Sequence, residues 1–158
     1  MFSTTSMAFM SGIDPSRDTQ GELDIIGATI PLAPSNATVN AGYVKFTNTS
    51  NKDVEFHRFT SPVYDSVEMH ITENKSGSAK MKQIKKLLVP ANSSIELKPG
   101  GAHLMLIGPR RDVKTGEKVL MIAQDSLERR FMLTFTVVDL RQDNAQKSHE
   151  HDHSHHNH

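Results

Sequence analysis

The sequence predicts an all-β domain, a sandwich or a barrel, on three observations. Short runs rich in Val, Ile, Leu and Phe recur between residues 22 and 140, with turn signals at roughly 8–12-residue spacing. The turns are legible one by one: NTSNK at 48–52, ENKSGS at 73–78, PAN at 90–92, PGG at 99–101 and KTGE at 114–117. No segment carries the period of an amphipathic helix, and there is no internal repeat.

Residues 23–30 form the first predicted strand, ended by Pro31 and Pro34. In 42–48, Val44 and Phe46 point one way, Tyr43 and Lys45 the other. Residues 54–60 set Val54, Phe56 and Arg58 on one face against Glu55, His57 and Phe59. Residues 63–72 follow Pro62, and the polar ENKSGS segment reads as a hairpin loop leading into 80–89. A turn at Pro90 leads to 94–97. Residues 102–107 are apolar enough to be buried on both faces, and 119–123 and 130–138 close the domain. Residues 1–21 read as a flexible leader, 22–140 as the domain and 141–158 as a polar, disordered tail.

Composition excludes several classes. The 18 basic and 18 acidic residues balance, so no cationic excess exists to hold a nucleic acid. The absence of cysteine rules out disulfides, zinc ribbons, thiol catalysis and thiolate-ligated copper. The first 20 residues lack the basic and apolar regions of a secretory signal, so either the chain is cytosolic or it begins after a removed signal. No apolar run approaches the ~20 residues needed to span a bilayer. No nucleophile–base arrangement or catalytic carboxylate pair stands out, which points away from an enzyme.

The chemistry concentrates at His70, Met81, His103 and Met105. Ten residues separate the first two, 21 separate Met81 from His103, and one leucine separates His103 from Met105. In a strand, His103 and Met105 share a face while Ala102, Leu104 and Leu106 take the other. A hairpin centred between Lys75 and Ser76 sets His70 and Met81 close to cross-strand partners, about 4.5–5.5 Å between Cβ atoms if directly opposed. Two imidazoles and two thioethers are soft, neutral donors that favour Cu(I). Taken singly, each has a structural reading: methionine commonly fills cores, and a lone strand histidine is usually surface or hydrogen-bonded. Met69, Met121 and Met132 read as core, and His57 as structural.

Those four residues, at those spacings, resemble the PCuAC family of periplasmic copper chaperones. The surrounding segments resemble it too: Val67–Glu68–Met69–His70, the Ala41–Gly42–Tyr43 strand running to Asn48, and Pro99–Gly100–Gly101–Ala102–His103–Leu104–Met105–Leu106. The resemblance spans about residues 22–138. One departure is that Ser78 and Ala79 stand where members often carry further methionines. The resemblance implies a cupredoxin-like Greek-key β-barrel holding Cu(I) on His70, Met81, His103 and Met105 near one end. It also implies a periplasmic protein that supplies the CuA centre of cytochrome c oxidase subunit II, alongside Sco-type proteins. Thioethers have no proton to lose, so binding should vary with pH through the two histidines, which must be neutral to ligate.

Six of the nine histidines lie in the tail: His149, His151, His153, His155, His156 and His158. Such tracts bind Cu(II), Zn(II) or Ni(II) with little specificity, and this one suits capture of Cu(II) beside the core site. Two other readings stay open. A copper-buffering or resistance protein shares the site but delivers to nobody. A β-sandwich interaction domain, with its His and Met residues structural, binds no Cu(I) tightly.

Overall fold

Strands such as β3, β10 and β11 bury alternate side chains and turn the others outward, so the sheet curls around its apolar face. The computed structural model describes residues 17–142; the six tail histidines lie outside them. Eleven strands follow in order: β1 Arg17–Gln20, β2 Leu23–Pro31, β3 Val39–Asn48, β4 Val54–Thr60, β5 Tyr64–Lys75, β6 Ser78–Ile84, β7 Leu87–Val89, β8 Ser93–Leu97, β9 Ala102–Pro109, β10 Lys118–Asp125 and β11 Arg130–Val138. Seven of them close a barrel in the order β2, β11, β10, β4, β5, β9, β3 and back to β2. The β11–β2 pairing is parallel and the others in the ring are antiparallel. The expected all-β barrel is therefore the observed one. No described helix is long and apolar enough to cross a membrane.

The barrel is filled by Phe46, Phe56, Phe135, Leu104, Leu106, Leu133, Ile30, Met121 and their neighbours, all nearly inaccessible to solvent. Phe56 sits at the centre of an aromatic cluster, 5.1 Å from Phe46, 5.5 Å from Phe59 and 5.5 Å edge-on from Phe131. Two buried polar side chains hold the loops at one end. Asn48 donates to the carbonyls of Lys52 and Val89 and accepts from the Ser50 amide and hydroxyl. Asp125 accepts the Leu127 and Arg129 amides and the Arg129 guanidinium.

Several local expectations change. Arg17–Gln20 already pairs with β2, ahead of the first predicted strand. In β4, Phe59 joins Val54 and Phe56 in the core and Arg58 faces solvent, the reverse of strict alternation. The register against β10 skips His57, a bulge that resets which residues point inward. The 80–89 segment is two strands, because β6 pairs with β5 whereas β7 pairs with β4. In β9 only Leu104 and Leu106 are fully buried, so this strand has one apolar face and not two. Met69 and Met121 are core as expected, but Met132 is 53% exposed. It lies between the inward-facing Phe131 and Leu133, and alternation sends it outward.

Candidate metal centre

The candidate site is built on three adjacent strands, β6, β5 and β9. β5 and β9 pair antiparallel in a register that sets His70 directly opposite His103 and Glu68 directly opposite Met105. Met69 and Leu104, one step along each strand, point into the core. That anchoring fixes the register, since a one-residue slip would expose both and bury the imidazoles. The two rings lie 5.8 Å apart between centroids and are tilted by 31°.

Met81 arrives from the other side of β5. It pairs with Thr72, and His70 pairs with Gln83, so His70 and Met81, expected as close cross-strand partners, stand two pairs apart in the ladder. The physical reason lies in the turn. Ser76 and Gly77, both with positive φ, make a two-residue loop centred one residue beyond the ENKSGS midpoint. The shift keeps Met81 on the same face, diagonal to His70 at about 7–8 Å, within reach of a long side chain. Met81, His70, His103 and Met105 thus form a diagonal line across one outer face of the barrel. The sequence motif brings all four to that face; the tail histidines are outside the described residues.

Exposure differs among the four. His70 keeps only 13% of its side chain accessible, His103 and Met105 are half-buried, and Met81 is 63% exposed. His70 and His103 each have one ring nitrogen engaged. His70 Nε2 lies 2.8 Å from a Glu68 carboxylate oxygen, and His103 Nδ1 lies 3.3 Å from the Gly101 carbonyl. His70 Nδ1 is buried with no hydrogen-bond partner. A buried acceptor left without a donor is costly, and a metal ion would satisfy it. Among the described residues no group of three or more His, Cys, Asp or Glu side chains is placed to hold a metal. The further donors on this face are the Met81 and Met105 thioethers, which suit a soft ion.

Glu68 is the one neighbour that the motif does not single out. Period-two alternation was the available signal, because residue 68 lies two before His70 and so on the same face. The Gly101 carbonyl comes from the tight turn between β8 and β9, where the Gly101 amide also bonds Lys98 and the Thr72 amide bonds Gly101. That turn ties the β5 and β9 ends of the site together.

Residues 23–123 match a family model described as "LpqE-like: Putative lipoprotein LpqE-like". The chain is 31% identical over 106 residues to "Putative lipoprotein Lxx21020" of Leifsonia xyli subsp. xyli (strain CTCB07). That alignment covers 66% of this chain and 62% of the relative. A Rickettsia prowazekii (strain Madrid E) protein, RP573, is 31% identical over 80 residues, which is 50% of this chain and 44% of that protein. The chain thus spans less than two thirds of the length of these curated relatives. Among solved structures, Cu(I)-bound DR1885 of Deinococcus radiodurans is similar at 30% identity, with a TM-score of 0.59 over 72% of this chain and 76% of that one. The copper-bound PCuAC domain of PmoF2 superposes with a TM-score of 0.66 over 78% of this chain and 97% of that one, at 16% identity. At that identity the likeness speaks to the fold, and the cupredoxin-like barrel is shared.

Proposed function

This chain belongs to the LpqE-like family, which is the PCuAC family, and on that premise we propose that it is an extracytoplasmic copper chaperone. Its cargo is a Cu(I) ion held by His70, Met81, His103 and Met105. The observation that carries the reading is the β5–β9 register, with His70 opposite His103 and a methionine beside the pair at either end. Two similar structures, Cu(I)-DR1885 and the PmoF2 PCuAC domain, are copper-bound, and this supports the choice of metal.

The geometry suits a carrier better than a store. Cu(I) has little geometric demand, so four soft donors on an open sheet face are a sufficient cradle. Met81 is the most exposed of the four and His70 the least, so an acceptor reaches the Met81 thioether first and the His70 imidazole last. The acceptor proposed is the CuA centre of cytochrome c oxidase subunit II, reached directly or through a Sco-type protein. The compartment proposed is the periplasm. The tail histidines 149, 151, 153, 155, 156 and 158 are proposed to gather Cu(II) or Zn(II) loosely near the domain. No catalytic step is proposed.

The test is an anaerobic Cu(I) titration of the full chain against a competing chelator, with His103→Ala and a form ending at Asp143 in parallel. The proposal expects stoichiometric competition that survives tail removal and is lost with His103. Cu(I)-loaded chain is then mixed with the apo CuA domain, the acceptor is separated and treated with a one-electron oxidant such as ferricyanide to bring a transferred Cu(I) pair to its coloured mixed-valence state, and the CuA absorption bands are read. Failure to compete ends the copper reading. Tight binding with no transfer to CuA or to a Sco-type protein turns it into a buffering protein.

A further inference from the structure

The two candidate ligand histidines are held by different kinds of acceptor at different ring nitrogens. Glu68 faces His70 Nε2 at 2.8 Å, and the Gly101 carbonyl faces His103 Nδ1 at 3.3 Å. Neither a carboxylate nor a carbonyl can donate, so the proton sits on the histidine in each bond. His70 therefore carries Nε2–H. Its Nδ1 is buried without an acceptor, so a second proton there would be stranded, and that nitrogen holds a lone pair. His103 carries Nδ1–H, which leaves Nε2 with the lone pair.

We infer that Glu68 is a positioning residue for the metal site, fixing His70 to present Nδ1 while the Gly101 carbonyl fixes His103 to present Nε2. This rests on the reading of His70 and His103 as ligands. The arrangement follows the general logic of metal-binding histidines, whose second N–H is held by a carboxylate or a backbone carbonyl that sets ring orientation and tautomer. Glu68 is well placed for it on two counts. It lies two residues before His70 on the same strand face, and it pairs across the ladder with Met105.

The experiment uses the full chain labelled with ¹⁵N. Long-range ¹H–¹⁵N correlations of the imidazoles, assigned with His70→Gln and His103→Gln, report which nitrogen carries the proton. Cu(I) is diamagnetic, so the same spectrum can be read when loaded. The apo chain is expected to show Nε2–H at His70 and Nδ1–H at His103, and Cu(I) is expected to shift His70 Nδ1 and His103 Nε2. In Glu68→Ala, His70 loses its single tautomer, and chelator competition shows Cu(I) affinity falling by about 10–100-fold. In Glu68→Gln the side-chain oxygen still accepts from Nε2–H, so both the tautomer and the affinity return to within a few-fold of the parent. An apo His70 that carries Nδ1–H overturns the inference, as does a Glu68→Ala protein with unchanged tautomer and affinity. If His70→Gln itself binds Cu(I) like the parent, the ligand assignment fails. If His70→Gln loses affinity and Glu68→Ala does not, only the role of Glu68 fails.

Discussion

Met81 and Met121 offer a paired test of which methionines serve the metal and which serve the fold. Met81 is 63% exposed on β6, and Met121 is 0% exposed in the barrel, on β10 and two strands from β5. Full burial of a methionine is worth about 1.5–3 kcal/mol. Little more than a third of Met81 is covered, so Met81→Ala should cost less than about 1 kcal/mol of stability. Met121→Ala empties a closed core and should cost about 2–5 kcal/mol. The order reverses for copper. Losing one of four proposed donors should weaken Cu(I) binding at least as much as losing a supporting group, about 10-fold or more, equivalent to ~1.4 kcal/mol. Met121→Ala leaves the donor line untouched and should bind Cu(I) like the parent. Urea unfolding followed by circular dichroism gives the first quantity, and anaerobic chelator competition gives the second. Met81→Ala binding Cu(I) at parental affinity, or losing as much stability as Met121→Ala, would refute the assignment of Met81 to the metal.

Other outcomes follow from particular contacts. Leu104→Ala removes a fully buried side chain directly beneath the His103–Met105 face and should cost about 2–5 kcal/mol in urea unfolding. Gly108 has φ +65, and a Cβ there would collide with the Asp65 carboxylate and come within 3.0 Å of Asp65 Cβ, so Gly108→Ala should lower stability by about 1–3 kcal/mol. Asn48→Ala leaves the Val89 and Lys52 carbonyls and the Ser50 donors without their partner and should cost about 1–3 kcal/mol, read as a lowered melting temperature. The Arg111 guanidinium, with the Lys114 amide, holds the Glu117 carboxyl below its ordinary range. A depressed folded value stabilises above the unfolded one and is lost as pH falls through the folded one. Glu117→Gln should therefore cost under about 1 kcal/mol at neutral pH, since the pair is solvent-screened, and nothing in strong acid. A Glu117→Gln deficit in unfolding free energy that stayed constant from neutral to acid would contradict that linkage.

Much of the fold was written in local patterns. Alternation in β3 and β11, the PGG turn before β9 and the ENKSGS loop between β5 and β6 each depend on neighbours in sequence and are legible there, although the centre of that loop falls one residue later than expected. The misreadings share a cause. Phe59 turns inward because β10 tolerates a bulge at His57, and the 80–89 run splits because two different strands offer it partners. Neither fact is carried by the segment itself. Met132 looked like core because its neighbours are apolar, although its parity sent it outward.

The four soft side chains, their spacing and the shared face of His103 and Met105 were determined by the sequence alone. Strand parity is a local property, and the donor chemistry belongs to the residue types. Only the tertiary structure decided that His70 stands opposite His103, that Met81 lies two pairs away from His70, and that Glu68 and the Gly101 carbonyl hold opposite ring nitrogens. The first of these depends on the register between strands some 30 residues apart in the chain, from His70 to His103. Register is set by which apolar partners, here Met69 and Leu104, reach the core together.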